Sequence, residues 1–169
     1  MKSTGEVMGL DKDFGRAYIK SQIAAGQNMP RKGNVFISVR DRDKRSVVFI
    51  AKKISDLGFH IFASSGTAAA LEKNNIAVKV LPKLGEGRPN VLDLMKDGKI
   101  QLVINTPSGR IPRQDETRIR SHVVRYNIPY TTTISGAQAT VNGIETLIKK
   151  KLEVKSLQEY HKMLSKRHR

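Results

Sequence analysis

From Val35 onward, short apolar runs alternate with stretches that are apolar on one side only. Val35-Phe36-Ile37-Ser38-Val39 is nearly continuously apolar, which predicts a strand buried on both faces. Asp43 to Leu57 sets Val47, Ile50, Ala51, Ile54 and Leu57 at helical spacing, and Gly58 ends the stretch. Phe59 to Ala63 reads as a second strand, followed by a helix opened by Gly66-Thr67 and running through Lys73. Ala77 to Leu81 reads as a third strand, Asn90 to Met95 as a helix and Gln101 to Asn105 as a fourth strand. A basic helix over Gln114 to Tyr126, with Asp115 and Glu116 in its first turn, precedes a fifth strand over Pro129 to Thr133. Helices over Gly136 to Lys150 and Ser156 to Leu164 complete the pattern.

Strands alternating with helices in this way form right-handed βαβ units. The expected fold is α/β, a three-layer sandwich around a five-stranded parallel sheet of the flavodoxin or Rossmann kind. Before it, Asp11 to Ala25 predicts a helix with Asp11 as N-cap and Gly26 as its stop. The polar stretch from Gln27 to Gly33 reads as a linker. The expected organisation is therefore an N-terminal segment (1–30), the sheet domain (31–150) and a C-terminal helix with a basic tail (151–169).

Composition narrows the partners. The chain has 169 residues, enough for one domain with a substantial core. It carries no cysteine, which excludes disulfides and thiolate chemistry and fits a reducing, cytoplasmic setting. Its longest apolar run, Val47 to Ala51, is far short of a membrane span, and the first residues hold no signal-like apolar stretch. The net charge of +16 calls for an anionic partner: nucleic acid, phosphate or an acidic surface. Part of it, Lys149 to Lys151 and Lys166 to Arg169, reads as solvated tail. At 5% aromatic residues, the chain is poorly supplied for stacking on single strands.

In a parallel sheet, ligands bind beyond the carboxyl ends of the strands. Four loops fall there. The second strand leads into Ser64-Ser65-Gly66-Thr67, hydroxyls and a glycine at a helix start, which together suit a phosphate. Ser65 or Thr67 could equally serve only as an N-cap. The third strand leads to Lys83 and Arg88, cations that either pair with a phosphate or are ordinary loop charges. The fourth leads to Asn105-Thr106-Pro107-Ser108-Gly109-Arg110. After the first strand comes Arg40-Asp41-Arg42-Asp43-Lys44, where Lys44 reaches the edge and Asp43 is a second N-cap candidate. The expected arrangement is a phosphate on Ser64 to Thr67, clamped by Lys83 with help from Lys44.

Catalytic patterns are mostly missing. No pair among His60, His122, His161 and His168 has metal-ligand spacing, and His60 reads as a core or sheet-surface residue. There is neither a Walker-type loop nor a Gly-x-Gly-x-x-Gly turn. Acids at the ligand edge reduce to Asp41 and Glu86.

Residues from about Asn34 to Leu147 resemble the methylglyoxal-synthase-like domain family. The resemblance is carried by Phe36-Ile37-Ser38-Val39-Arg40-Asp41-x-Asp43-Lys44, Ser65-Gly66-Thr67-Ala68, Glu86-Gly87-Arg88-Pro89 and Ile104-Asn105-Thr106-x-Ser108-Gly109-Arg110. In this form the runs look like the C-terminal regulatory domain of carbamoyl-phosphate synthase large chains. Met1 to Gly9 is similar to the end of the ATP-grasp synthetase domain that precedes it there. The resemblance implies an allosteric module that performs no chemistry itself and needs no cofactor. ATP and Mg or Mn would belong to the parent ligase, which is glutamine-hydrolysing and feeds pyrimidine and arginine biosynthesis.

The same resemblance implies a nucleotide effector, UMP or IMP in some members, held by Lys44, Ser64, Thr67, Lys83 and Asn105. Ser65, Gly66, Arg88 and Thr106 complete the expected site, and Tyr130 and Thr132 match positions near ornithine. Ser64 stands where better-known members have Thr, and Pro107 replaces another Thr, removing a hydroxyl and an N–H. Implied partners are the remaining synthetase domains, the small glutaminase subunit and a homo-oligomer of the parent; neither nucleic acid nor membrane is expected. Two other readings stand beside this one: a methylglyoxal-synthase-type lyase and a basic nucleic-acid-binding module.

Overall fold

A computed structural model of the chain describes residues 5–107 and 114–165, with side chains described as far as residue 162. Residues 1–4, 108–113 and 166–169, with the expected Ser108, Gly109 and Arg110 among them, lie outside the described residues.

The strands are β1 (Asn34–Ser38), β2 (His60–Ser64), β3 (Lys79–Leu81), β4 (Leu102–Asn105) and β5 (Tyr130–Thr131). All neighbouring strands pair in parallel, in the order β3-β2-β1-β4-β5. The helices are α1 (Phe14–Ala24), α2 (Lys44–Asp56), α3 (Ser65–Glu72), α4 (Val91–Lys96), α5 (Gln114–Arg125), α6 (Ile134–Lys149) and α7 (Leu157–Ser165). The five-stranded parallel sandwich expected from the pattern is the observed fold.

The nearly continuous apolar strands explain the two cores. In β1, Val35 and Ile37 join α2, α3 and α6 on one face, while Phe36 joins α4 and α5 on the other. In β4, Leu102 and Ile104 side with the first group and Val103 with the second. Alternate residues of one strand thus serve opposite layers. The crossover rule accounts for the distribution. The chain steps one way from β1 through β3 and the other way from β4 to β5, so right-handed connections put α2 and α3 on one face and α4 and α5 on the other. The direction changes between β1 and β4, and there the loops part to leave a crevice.

α1 packs on α6. Ile19 is fully buried and shares the first core, as does Met29. The approach is close because α6 has Gly143 opposite: a Cβ there would fall 2.9 Å from the Ile19 side chain. Tyr18 and Thr140 join their hydroxyls across the contact at 2.8 Å. The N-cap of α1 is Asp13, not Asp11. The Asp13 carboxylate accepts from Arg16 N at 2.9 Å, three residues on, as a cap requires. Asp11 lies before the helix and is engaged by Lys20 at 2.7 Å.

Other boundaries also moved. β5 is only two residues long, because Thr133 leaves the strand to cap α6 through Gly136 N at 3.0 Å. α6 therefore begins at Ile134, two residues before Gly136. β3 starts at Lys79 rather than Ala77. His60 opens β2 and is exposed, not core.

Candidate phosphate-binding cleft

A cleft of about 590 Å³ lies beyond the carboxyl ends of β1, β2, β3 and β4, at the crevice the strand order creates. Each wall comes from a different loop. β1 gives Ser38, Val39 and Arg40, continued by a short turn (Asp41–Asp43) into Lys44. β2 gives Ser64 to Thr67, β3 gives Leu81 to Leu84, and β4 gives Asn105 and Thr106. Phe36, Leu81, Leu84, Val91 and Ile119 provide an apolar side.

The β2–α3 junction is built to leave N–H groups free. Ser64 holds the N-cap position in extended conformation, but its hydroxyl makes no cap bond. That hydroxyl instead accepts from Ser38 Oγ at 3.1 Å and donates to Thr67 Oγ1 at 3.2 Å. Thr67 Oγ1 also accepts from Val39 N at 3.1 Å. Neither Ser65 nor Thr67 is the N-cap; both belong to α3. Among the described residues no capping side chain takes the first amides of α3, and these are the groups that attract an anion at a helix start.

Gly66 gives the approach its room. The Lys44 ammonium lies 3.1 Å from where a Gly66 Cβ would sit, so Lys44 overhangs the start of α3. Its own ammonium is bound to Asp41 Oδ1 at 2.7 Å. That hydrogen bond, reinforced by the charge of Lys44, holds the Asp41 carboxyl below its ordinary range. Lys83 lines the cleft but is 62% exposed and pairs with Glu86 at 3.4 Å. Of the two cleft lysines, Lys44 and not Lys83 lies over the start of α3.

The remaining expected residues divide. Asn105 is buried at the cleft wall and donates to the Tyr130 hydroxyl at 3.4 Å. Thr106 is buried there too, but its hydroxyl accepts from Arg40 N at 3.1 Å and so braces the β1 loop. Arg88 does not join the walls; it is 82% exposed and pairs with Asp93 at 3.1 Å. Pro107 is half-buried and also off the walls. Asp43 is bound by Arg40 at 2.7 Å and makes no cap bond, although it occupies the N-cap position of α2.

Sequence reasoning missed two acids. The first turn of α5 returns to the same edge and brings Asp115 and Glu116 to the cleft. Their position at a helix start had already accounted for them as partners of the helix dipole, which hid this second placement. Arg40 and Arg42 also reach the walls. Tyr130 and Thr132 do not line this cleft. Tyr130 borders a separate cavity of about 410 Å³ with Tyr18, Thr131 and Thr140, while Thr132 is half-buried and not part of its walls. Thr131 Oγ1 there is buried without a hydrogen-bond partner. No group of three or more potential metal ligands occurs among the described residues, and no helix among them is long and apolar enough to cross a membrane.

Residues 46–132 match the family model of the MGS-like domain. The chain belongs to that family. Among its relatives, the C-terminal section of the carbamoyl phosphate synthase large chain from Methanocaldococcus jannaschii is 51% identical over 94% of this chain. The corresponding section from Aquifex aeolicus is 48% identical over 95%, and the large chain of Archaeoglobus fulgidus is 48% identical over 95%. The chain spans 26%, 31% and 15% of those three relatives' lengths. This MGS-like domain is therefore similar, along nearly its whole length, to part of those large chains, in two of the three to part of a section named C-terminal. The structure is also similar to the crystal structure of methylglyoxal synthase from Elizabethkingia anophelis, with a TM-score of 0.57 over 79% of this chain and 93% of that one. At 15% identity that likeness concerns the fold.

Proposed function

We propose that this MGS-like domain is the effector-binding regulatory module of a carbamoyl-phosphate synthase large chain, and that its effector is a phosphorylated nucleotide seated in the β1–β4 cleft. The observation that carries the reading is the uncapped start of α3 beneath Lys44, beside an apolar wall. A phosphate suits the amides, the hydroxyls and the ammonium; a base suits Phe36, Leu81 and Ile119. Lys44, Ser65, Gly66 and Thr67 hold the phosphate in this reading, with Lys83 at the rim and Asn105 toward the ribose. Ornithine is assigned to the neighbourhood of Tyr130 and Thr132, at a surface shared with a synthetase domain, to which residues 1–30 would lead. The partners are the rest of the large chain, the small glutaminase subunit and further copies of the parent. The parent ligase would use ATP and a divalent metal in the cytoplasm, for pyrimidine and arginine synthesis.

The experiment is a calorimetric titration of the domain with UMP, IMP, ornithine and inorganic phosphate. Saturable binding of at least one nucleotide, competed by inorganic phosphate, is expected. No nucleotide binding at millimolar concentration would overturn the reading.

Asp115 and Glu116 give the cleft carboxylates of the kind a proton-abstracting lyase needs. We infer that the domain is not such a lyase: these carboxylates sit at a dipole-favoured helix start, and no histidine lines the cleft among the described residues. Methylglyoxal release from dihydroxyacetone phosphate measures this directly, and release above background would reject it. Generic duplex DNA should bind only weakly at about 150 mM salt.

A further inference from the structure

Both lysines of the cleft carry a carboxylate three residues away in the chain. Lys44 pairs with Asp41, and Lys83 with Glu86. The two pairs are not equivalent. Lys44 is 29% exposed and overhangs Gly66, whereas Lys83 is mostly in solvent. Asp41 is 94% exposed, and among the described residues its carboxylate has one hydrogen-bond partner, the ammonium of Lys44. The other acid of this turn, Asp43, is taken by Arg40 and Arg42. So, among the described residues, one carboxylate held by a single contact occupies the ammonium that lies over the start of α3.

A carboxylate and a phosphate compete for such a cation on unequal terms. The carboxylate brings one charge and two oxygens. A phosphate monoester brings up to two charges and three oxygens, and can accept from the α3 amides as well. Asp41 hydrogen-bonds none of those amides. Its exposure means that release into water costs little, because water replaces the lost contact.

We propose that Asp41 is a resident anion of the cleft: it holds Lys44 while the site is unoccupied and yields it to the phosphate of the ligand, so that it sets the affinity below what Lys44 alone would give. This rests on the reading of the cleft as a phosphate site. The cost to the ligand is the fraction of time Lys44 is engaged, together with the charge of Asp41 close to the incoming phosphate. For an exposed pair three residues apart, that amounts to about threefold to fivefold in affinity. Glu86, on a longer and more exposed contact, has the same role toward Lys83 with a smaller effect.

The test is a double-mutant cycle by calorimetry, with uridine monophosphate and inorganic phosphate as probes. The proteins are the wild type, Asp41→Asn, Lys44→Ala, the double variant and Asp56→Asn. Asp56 pairs with Lys52 on α2, is exposed, and lies off the cleft walls, so it changes net charge equally. Asp41→Asn should tighten both probes about threefold to fivefold, and Asp56→Asn by less than about 1.5-fold. In the Lys44→Ala background the gain should shrink to that of Asp56→Asn. Unchanged or weaker binding in Asp41→Asn overturns the proposal, since Asp41 would then be inert or would position Lys44 for the ligand. An equal gain from Asp56→Asn, or an undiminished gain without Lys44, also overturns it. If instead Lys44→Ala leaves binding intact, the phosphate assignment itself is wrong and the role of Asp41 falls with it.

Discussion

Ion pairs at the cleft differ in kind from those that join α1, α2 and α6 to one another. At the cleft, Asp41–Lys44, Arg40–Asp43 and Lys83–Glu86 each join residues three apart within one β–α connection or the helix start that closes it. In the helical layer, Lys53 of α2 pairs with Glu145 of α6, and Lys150 reaches Asp13 across the α1–α6 contact. A pair within one connection ties no two elements together and can exchange with a ligand. A pair between elements exists only when they are packed, and it reports stability. The molecule thus keeps exchangeable charge at one edge of the sheet and, beside pairs within single helices such as Lys52–Asp56, committed charge between its helices.

The largest effect that can test this separation is in the packing. Ile19→Ala removes a fully buried side chain seated between α1 and α6 and should cost about 2–4 kcal/mol in urea unfolding. Phosphate affinity should stay unchanged in the folded variant, because the cleft draws no wall from either helix. A parallel loss of affinity would show that the two regions are not separable.

Gly66→Ala acts in the opposite sense. A methyl group there meets only the flexible end of Lys44, and alanine favours a helix over glycine by about 1 kcal/mol. Stability should therefore hold or rise while affinity for uridine monophosphate falls about tenfold, because the backbone can no longer approach the phosphate closely. Thermal unfolding and calorimetry on the same sample read both quantities.

Glu145 comes next. Hydrogen bonds from Lys149 and then Lys53 hold its carboxyl at about 2, against an ordinary 4.5, burial opposing them. A depressed carboxyl contributes stability above its unfolded value and loses it as pH falls through the folded one. The contribution should be whole near neutrality and disappear between about pH 4.5 and 2. Glu145→Gln should cost about 1 kcal/mol at pH 7, after solvent screening of a side chain that is 30% exposed. Its stability should also vary less with pH across that window. The smallest effect belongs to Arg88→Ala, which should change nucleotide affinity less than about twofold, since Arg88 faces solvent beside Asp93.

How far the residues alone led follows from the range of each signal. Val35 to Ile37 announced a doubly covered strand because alternate residues of a buried parallel strand are all apolar, and the direction of the crossovers followed. Ser64 to Thr67 could be placed at the ligand edge because the loop directly follows its strand. Choosing among its hydroxyls could not be done locally: Ser64 is drawn off its cap by Ser38, 26 residues away. The same holds for Asp115 and Glu116, whose helix returns over the cleft by tertiary packing that no local pattern records. The sequence points to Asp11 as the cap, but Asp13, two residues on, takes that place, and the Lys20 contact that claims Asp11 comes from the next turns of α1. Arg88 shares its loop with Lys83, and only the turn between them separates a rim residue from one in solvent.

The most direct measurement is the affinity of uridine monophosphate for Lys44→Ala against Lys52→Ala, by calorimetry at about 150 mM salt. Both substitutions lie on α2, remove one positive charge and break one pair with an aspartate in the same segment. With a phosphate on α3 beneath Lys44, Lys44→Ala should weaken binding about 10- to 100-fold, the worth of a charge-assisted hydrogen bond, while Lys52→Ala changes it less than twofold. Equal weakening by both would mean that the ligand senses the general charge of +16 rather than a built site, and would contradict the assignment of the cleft.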